Sequence, residues 1–319
     1  MISNFTSIIL LCAITVCQVT YAQFIDDASL QLRLLKAISS FDKFGVPVKR
    51  RSLAIYAIDP MVPENSPDIW ENNVKMFASA VLSHSQKAKH QAFYVFCVVG
   101  GSSHELSKYL PHNAPNVAFI KSPHSHGDLQ AHISTIAALG DTIVSKFSSV
   151  LFLNQDARGP FEGRKDGKWW SRFAATFDNN PSIGIVGSMI SCEISPHVQT
   201  HAFAMRSEVA LEVFSEFNPR RIAGKKNKAR HLETSISAET INLGHSISSL
   251  YYQRKFNRTV FGGACVTQEG NSAAHRSNGF AANNAAARRR QIPWSAAWQT
   301  YWNRADRACR WNRQCSVCG

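Results

Sequence analysis

The sequence predicts an α/β protein: a mostly parallel central sheet with helices on both faces, followed by an irregular tail rich in arginine and cysteine. Three observations predict it. The short apolar runs Ala92–Val99 and Val150–Leu153 have the composition of strands buried on both faces. Between such runs lie longer segments whose apolar residues recur at helical spacing. The alternation of the two continues for about 200 residues, the signature of βα units stacked into one sheet.

Taken in order, residues 23–51 form a mixed lead-in ending in the basic triplet Lys49-Arg50-Arg51, read as a solvated turn or a processing site. Ser52–Ile58 alternates and reads as the first strand, closed by Asp59-Pro60. Ser66, Pro67 and Asp68 supply an N-cap, a first-turn proline and a first-turn acid. Trp70, Val74, Phe77, Ala78, Val81 and Leu82 then continue an amphipathic helix. Ala92–Val99 is the second strand, ended by Gly100-Gly101, and 116–120 a short third. A helix carrying Ile133, Ile136, Leu139, Ile143 and Val144 follows, weakened near its middle by Gly140. After the strand at 150–153 come a helix over 169–177, a strand over 183–190, and a helix over 207–217. A basic loop, a helix from about His231 to Gly244, and a strand over 247–252 complete the series.

The domain is therefore expected over 52–260, with an extension over 261–319 that includes Arg288-Arg289-Arg290 and a closing Trp/Arg/Cys segment. A net charge of +13, from 35 basic and 22 acidic residues, favours anionic partners. Residues 1–22 read as a signal peptide: Phe5–Val19 is nearly all apolar and Ala22 offers a small residue for cleavage. An uncleaved signal anchor, the one membrane contact expected, is the alternative. Secretion or residence in the Golgi lumen follows. Without Cys12 and Cys17 the chain keeps Cys97, Cys192, Cys265, Cys309, Cys315 and Cys318, an even set that suits disulfides in an oxidising compartment. Asn257-Arg258-Thr259 is a glycosylation sequon. A secretory signal and the lack of a recognisable module argue against nucleic acid as the partner.

The chemistry concentrates where the strand at 150–153 breaks into Asn154, Asp156 and Arg158 and is stopped by Gly159-Pro160. Open α/β sheets place ligands at such strand ends. No Walker loop is present, and Gly100-Gly101 lacks the third glycine of a dinucleotide fingerprint. Phosphate would then be met by a metal or by basic side chains. Asp156 with Asn154 offers hard oxygen ligands suited to Mn²⁺ or Mg²⁺. Arg158 can pair bidentately with phosphate, its plainer role being a bridge from loop to helix end.

The segment Leu153-Asn154-Gln155-Asp156-Ala157-Arg158-Gly159-Pro160-Phe161 resembles the F-x-N-x-x-x-R-G-P-F hallmark of eukaryotic GT-A-type glycosyltransferases related to the rhamnan-synthesis proteins. Ile185–Glu193 and Pro196–Ala204 match a second block. Glu233 with Ser237 resembles an E-x-x-x-S helix, and Gly127–His132 a G-x-D-x-G-A segment. The resemblance covers roughly residues 52–255. It implies a GT-A fold and transfer of a sugar from a nucleotide-diphosphate sugar to a glycan or other hydroxyl acceptor. It implies that Asp156 holds a metal on the diphosphate, Asn154 filling the usual first acidic position, and that Asp128 contacts the base or ribose. Asp128 read plainly is a helix N-cap. His197 and Gln199 would line the donor or acceptor pocket. Inverting transfer needs a carboxylate base, for which Glu233 leads and Glu193 and Glu239 follow; a solvated acid at a helix start is its plainer role. Trp169 and Trp170 could stack on sugar, and Phe203 reads as core. A non-enzymatic protein binding carbohydrate or polyanion on the same scaffold is the competing function. Donor, acceptor, stereochemistry and oligomeric state are not legible.

Overall fold

The computed structural model describes residues 27–43, 45–59, 67–79, 91–99, 110, 116–122, 127–159, 168–188, 190–191, 196–217, 228–250, 255–256 and 295–296. The helices are α1 (Asp27–Lys43), α2 (Pro67–Phe77), α3 (Asp128–Val144), α4 (Lys168–Asn179), α5 (Ser207–Ser215) and α6 (Lys228–Asn242). The strands are β1 (Arg51–Ile58), β2 (Gln91–Val99), β3 (Val117–Ser122), β4 (Ser149–Asn154), β5 (Ala157–Arg158), β6 (Ile183–Gly187), β7 (Ile190–Ser191), β8 (His197–Val198), β9 (Ala202–Arg206), β10 (Ser246–Ser249), β11 (Lys255–Phe256) and β12 (Ser295–Ala296).

Eight strands form one sheet in the order β11-β10-β6-β9-β4-β1-β2-β3. β1 pairs in parallel with β2 on one side and β4 on the other, while β9 runs antiparallel between β4 and β6. The mostly parallel, helix-covered sheet expected from sequence is therefore present. Its connectivity matters for function. From β1 the chain moves outward to β2 and β3, then returns across β1 to form β4. The carboxyl ends of β1 and β4 thus flank a topological switch point, where neighbouring loops leave in opposite directions and open a crevice.

Alternate side chains of each strand feed two cores. Leu53, Ile55, Phe93, Val95, Val150, Phe152, Ile185 and Phe203 pack with α1, α3, α5 and α6 on one face. Tyr56, Phe96, Phe119, Leu151, Leu153 and Val186 pack with α2 and α4 on the other. Every residue of β1 and β4 is buried, as strands covered on both faces require. Phe203, read as core, is fully buried, and Gly140 interrupts α3 with a left-handed backbone at φ 67°.

Four expectations need correction. The lead-in 23–51 contains α1, whose Leu30, Leu34, Ile38 and Phe41 belong to the core. The triplet Lys49-Arg50-Arg51 is not simply a solvated turn, because Arg51 is buried. Its Nη2 meets Asp42 Oδ1 at 2.5 Å, and its Nε donates to the Val46 carbonyl at 2.9 Å. The strand expected over 183–190 ends at Gly187, and Ile190–Ser191 pairs instead with His197–Val198 in a separate ribbon. Cys97 is a buried free thiol in β2, pushed by burial up to about 11, with the Thr135 and Ser122 hydroxyls holding it down in part. It is therefore outside any disulfide framework. The targeting segment, the sequon, the other cysteines and the tail apart from β12 lie outside the described residues.

Candidate functional site

The carboxyl edge of β4 is anchored from three directions. Asn154 N–H donates to the His201 carbonyl at 3.3 Å, which ties the strand end to the turn before β9. The Gln155 side chain folds back so that its Oε1 accepts the Asp59 N–H at 2.6 Å, just past β1. Its carbonyl accepts from Asn73 Nδ2 of α2 at 2.7 Å. Gln155 and Asn73 are both buried, so the turn is held by hydrogen bonds shielded from water.

On this frame Asn154 works at both ends of its amide. Its Oδ1 accepts the Asp156 N–H at 3.1 Å, shaping the turn. Its Nδ2 donates to Asp128 Oδ2 in a short hydrogen bond. Asp128 is the first residue of α3, where its other oxygen, Oδ1, accepts the Leu129 N–H at 2.8 Å. The N-cap itself is Gly127, so Asp128 is a first-turn acid rather than the cap. Burial pushes its carboxyl above the usual range, against the pull of Asn154 and two N–H groups, and the charge of Asp59 adds to the rise.

Glu233 approaches from α6. Its Oε1 accepts both the Thr200 N–H at 2.8 Å and the Thr200 hydroxyl at 3.1 Å. Its Oε2 lies 4.0 Å from His197 Nε2 on β8, with 24% of the Glu233 side chain exposed. Burial raises its carboxyl first; His197 and Thr200 oppose this, and the charge of Asp128 raises it further. One turn along α6, Ser237 Oγ accepts the Val198 N–H at 3.0 Å and fixes the ribbon. Glu233 is therefore no freely solvated acid. Asp156 is half-buried in the turn and adds to burial in raising the phenol of Tyr56 beneath it.

The structure thus gathers Asp128, Asn154, Asp156, His197, Thr200 and Glu233 at one edge. Arg158 pairs through its backbone with Ser295, the one point where the described tail returns to the site. Its side chain, the Trp169 and Trp170 side chains, and Glu193 lie outside the described residues. Gln199 Oε1 is buried with no hydrogen-bond partner among them. Glu239 accepts from Asn242 at the exposed far end of α6 and does not join the cluster. Asn154 Oδ1 accepts the Asp156 N–H through one lone pair, and its second lone pair, with the Asp156 carboxylate, is what the turn offers a cation. Among the described residues no three His, Cys, Asp or Glu side chains converge to hold a metal ion. A separate cavity of about 300 Å³ lies beside α4, lined by Arg172, Thr176, Asn180 and Ser248 among others.

Sequence reading missed Asp59, Asn73, Gln155 and Thr200. Asp59 carried a usable signal, a carboxylate directly after a buried strand, the same pattern that singled out Asp156. The others act only through tertiary contacts between segments distant in the chain.

No sequence-family model matches the chain, and no curated protein does. Among solved structures, a 4-diphosphocytidyl-2C-methyl-D-erythritol synthase from Anaerococcus prevotii superposes with a TM-score of 0.39 at 11% identity, covering 72% of this chain and 96% of that one. A cytidylyltransferase from Leptospira borgpetersenii gives 0.38 at 12%, covering 63% and 75%. Mouse xyloside xylosyltransferase 1 gives 0.35 at 10%, covering 59% and 82%. Likeness at this level assigns no activity.

Proposed function

We propose that this protein transfers a sugar from a nucleotide-diphosphate sugar to a hydroxyl acceptor, within or beyond the secretory pathway. The observation that carries the reading is the gathering of Asp128, Asp156 and Glu233 around a hydrogen-bonded turn at the switch point between β1 and β4. That is the place where open α/β sheets receive nucleotides. The resemblance of 153–161 to the GT-A hallmark supports the same substrate class.

In the reaction the acceptor oxygen attacks the anomeric carbon, the bond from that carbon to the diphosphate breaks, and the diphosphate leaves with the electron pair. In the inverting form the hydroxyl proton passes to a carboxylate. Glu233 suits that role: its Oε1 is held by Thr200, its Oε2 lies 4.0 Å from His197 Nε2, and its raised pKa strengthens it as a base near neutral pH. Asp128 and Asp156 bind and orient the donor. Asn154 Oδ1 and the Asp156 carboxylate are the oxygens that would hold a divalent cation to offset the diphosphate charge, and no step is routed through it. Comparing Mn²⁺, Mg²⁺ and a chelator in the binding assay measures whether a cation is needed.

The test is calorimetric titration of the full chain with UDP, GDP and their sugars. Binding of at least one is expected, and Asp156→Ala abolishes it without lowering the melting temperature. If none binds while acidic glycans are retained in a salt-sensitive manner, the protein is instead a polyanion binder on this scaffold, as the charge of +13 would favour.

A further inference from the structure

The amide of Asn154 has a fixed orientation. Because Oδ1 accepts the Asp156 N–H, Nδ2 must face Asp128, whose remaining oxygen accepts from Leu129. An acid at 154 would put two carboxylates in hydrogen-bond contact, where the Asp59 charge already raises Asp128 and the Asp128 charge already raises Glu233. Two carboxylates so placed do not both ionise. Transposing the two side chains is different. An amide at 128 still accepts from Leu129 and donates to an acid at 154, and that acid still accepts the Asp156 N–H. All three hydrogen bonds survive.

We propose that Asn154 is a positioning residue for Asp128, and that the carboxylate which the strand-end motif lacks at 154 is carried by Asp128 from the first turn of α3. The site is therefore not a weakened two-acid motif. It keeps both carboxylates, Asp128 and Asp156, with the amide between them. This rests on the nucleotide-diphosphate reading for its purpose but not for its existence, and the two fail separately.

The test is a four-member cycle in the full chain: wild type, Asn154→Asp, Asp128→Asn, and both together. At neutral pH, Asn154→Asp lowers the melting temperature by roughly 5 °C, and adding Asp128→Asn restores it. Titration with UDP and Mn²⁺ shows at least about tenfold weaker binding for Asp128→Asn and recovery in the transposed variant. A merely structural pair would leave the binding of Asp128→Asn unchanged, and that result overturns the proposal, as does an additive cycle. If Asn154→Asp alone fails to fold, folding of the transposed variant supports the pair and its failure overturns it. If wild type binds no nucleotide, the proposed function falls while a non-additive melting cycle still upholds the pair.

Discussion

His132 stands one helical turn along α3 from Asp128 and carries the site's support into the core. Its ring meets Phe152 and Phe203 edge-on, with centroids 5.2 and 6.3 Å away, and those two rings stack at 4.8 Å beneath Asn154 and His201. Neither ring nitrogen has a hydrogen-bond partner among the described residues, and burial pulls the imidazole from 6.5 down to about 3. The unfolded chain takes up that proton first. The contribution of His132 to stability is therefore complete above about pH 6.5 and is lost as pH falls towards 3. His201, drawn down to about 4 by burial, adds in the same sense. His132→Phe keeps the aromatic contacts and removes a titrating group. Its melting temperature is expected to exceed that of wild type near pH 4 and to match it near pH 8; equal losses in acid would contradict this. Glu233→Gln keeps an oxygen for Thr200 but cannot take a proton. It should lower turnover by about 10²–10⁴-fold while leaving nucleotide affinity within a few-fold, and joint loss of both would make Glu233 a binding or structural residue instead.

At the scale of elements, close packing decides what can change. A Cβ on Gly184 of β6 would lie 2.9 Å from the Cβ of His245 and 3.0 Å from both Thr240 Cγ2 and Val209 Cγ1. Those atoms belong to α5, α6 and the turn after α6, the helix that carries Glu233. Gly184→Ala is expected to cost about 1–3 kcal/mol through overpacking, read as a lower midpoint in urea; an unchanged midpoint would show that α6 has room to shift. The same scale explains which elements were legible. β2 and β4 are continuous apolar runs, and α2 and α3 have clear periodicity, so burial on both faces dictated their composition. β9 is short and its antiparallel place between β4 and β6 depends on pairing partners far along the chain. α1 was missed because Leu32 and Leu35 are exposed beside buried Leu30 and Leu34, which blurs the apolar stripe.

For the whole molecule, two cores sandwich one sheet, and the order of its strands fixes where the loops diverge. Asn154 and Asp156 were legible as candidates from residue type and position after a strand, and Asp128 and Glu233 through the resemblance to the GT-A segments. Their roles were not. That Asn154 serves Asp128, and that Gln155 locks the turn to β1 and α2, follows from side chains meeting across 26, 82 and 96 residues of chain. No local pattern encodes such contacts. The central claim, that a nucleotide diphosphate binds at the β1–β4 switch point, is tested most directly by amide hydrogen exchange with and without UDP and Mn²⁺. The account predicts slowed exchange over 127–132, 152–159 and 196–201. Protection confined to the cavity beside α4, or none at saturating nucleotide, would contradict it.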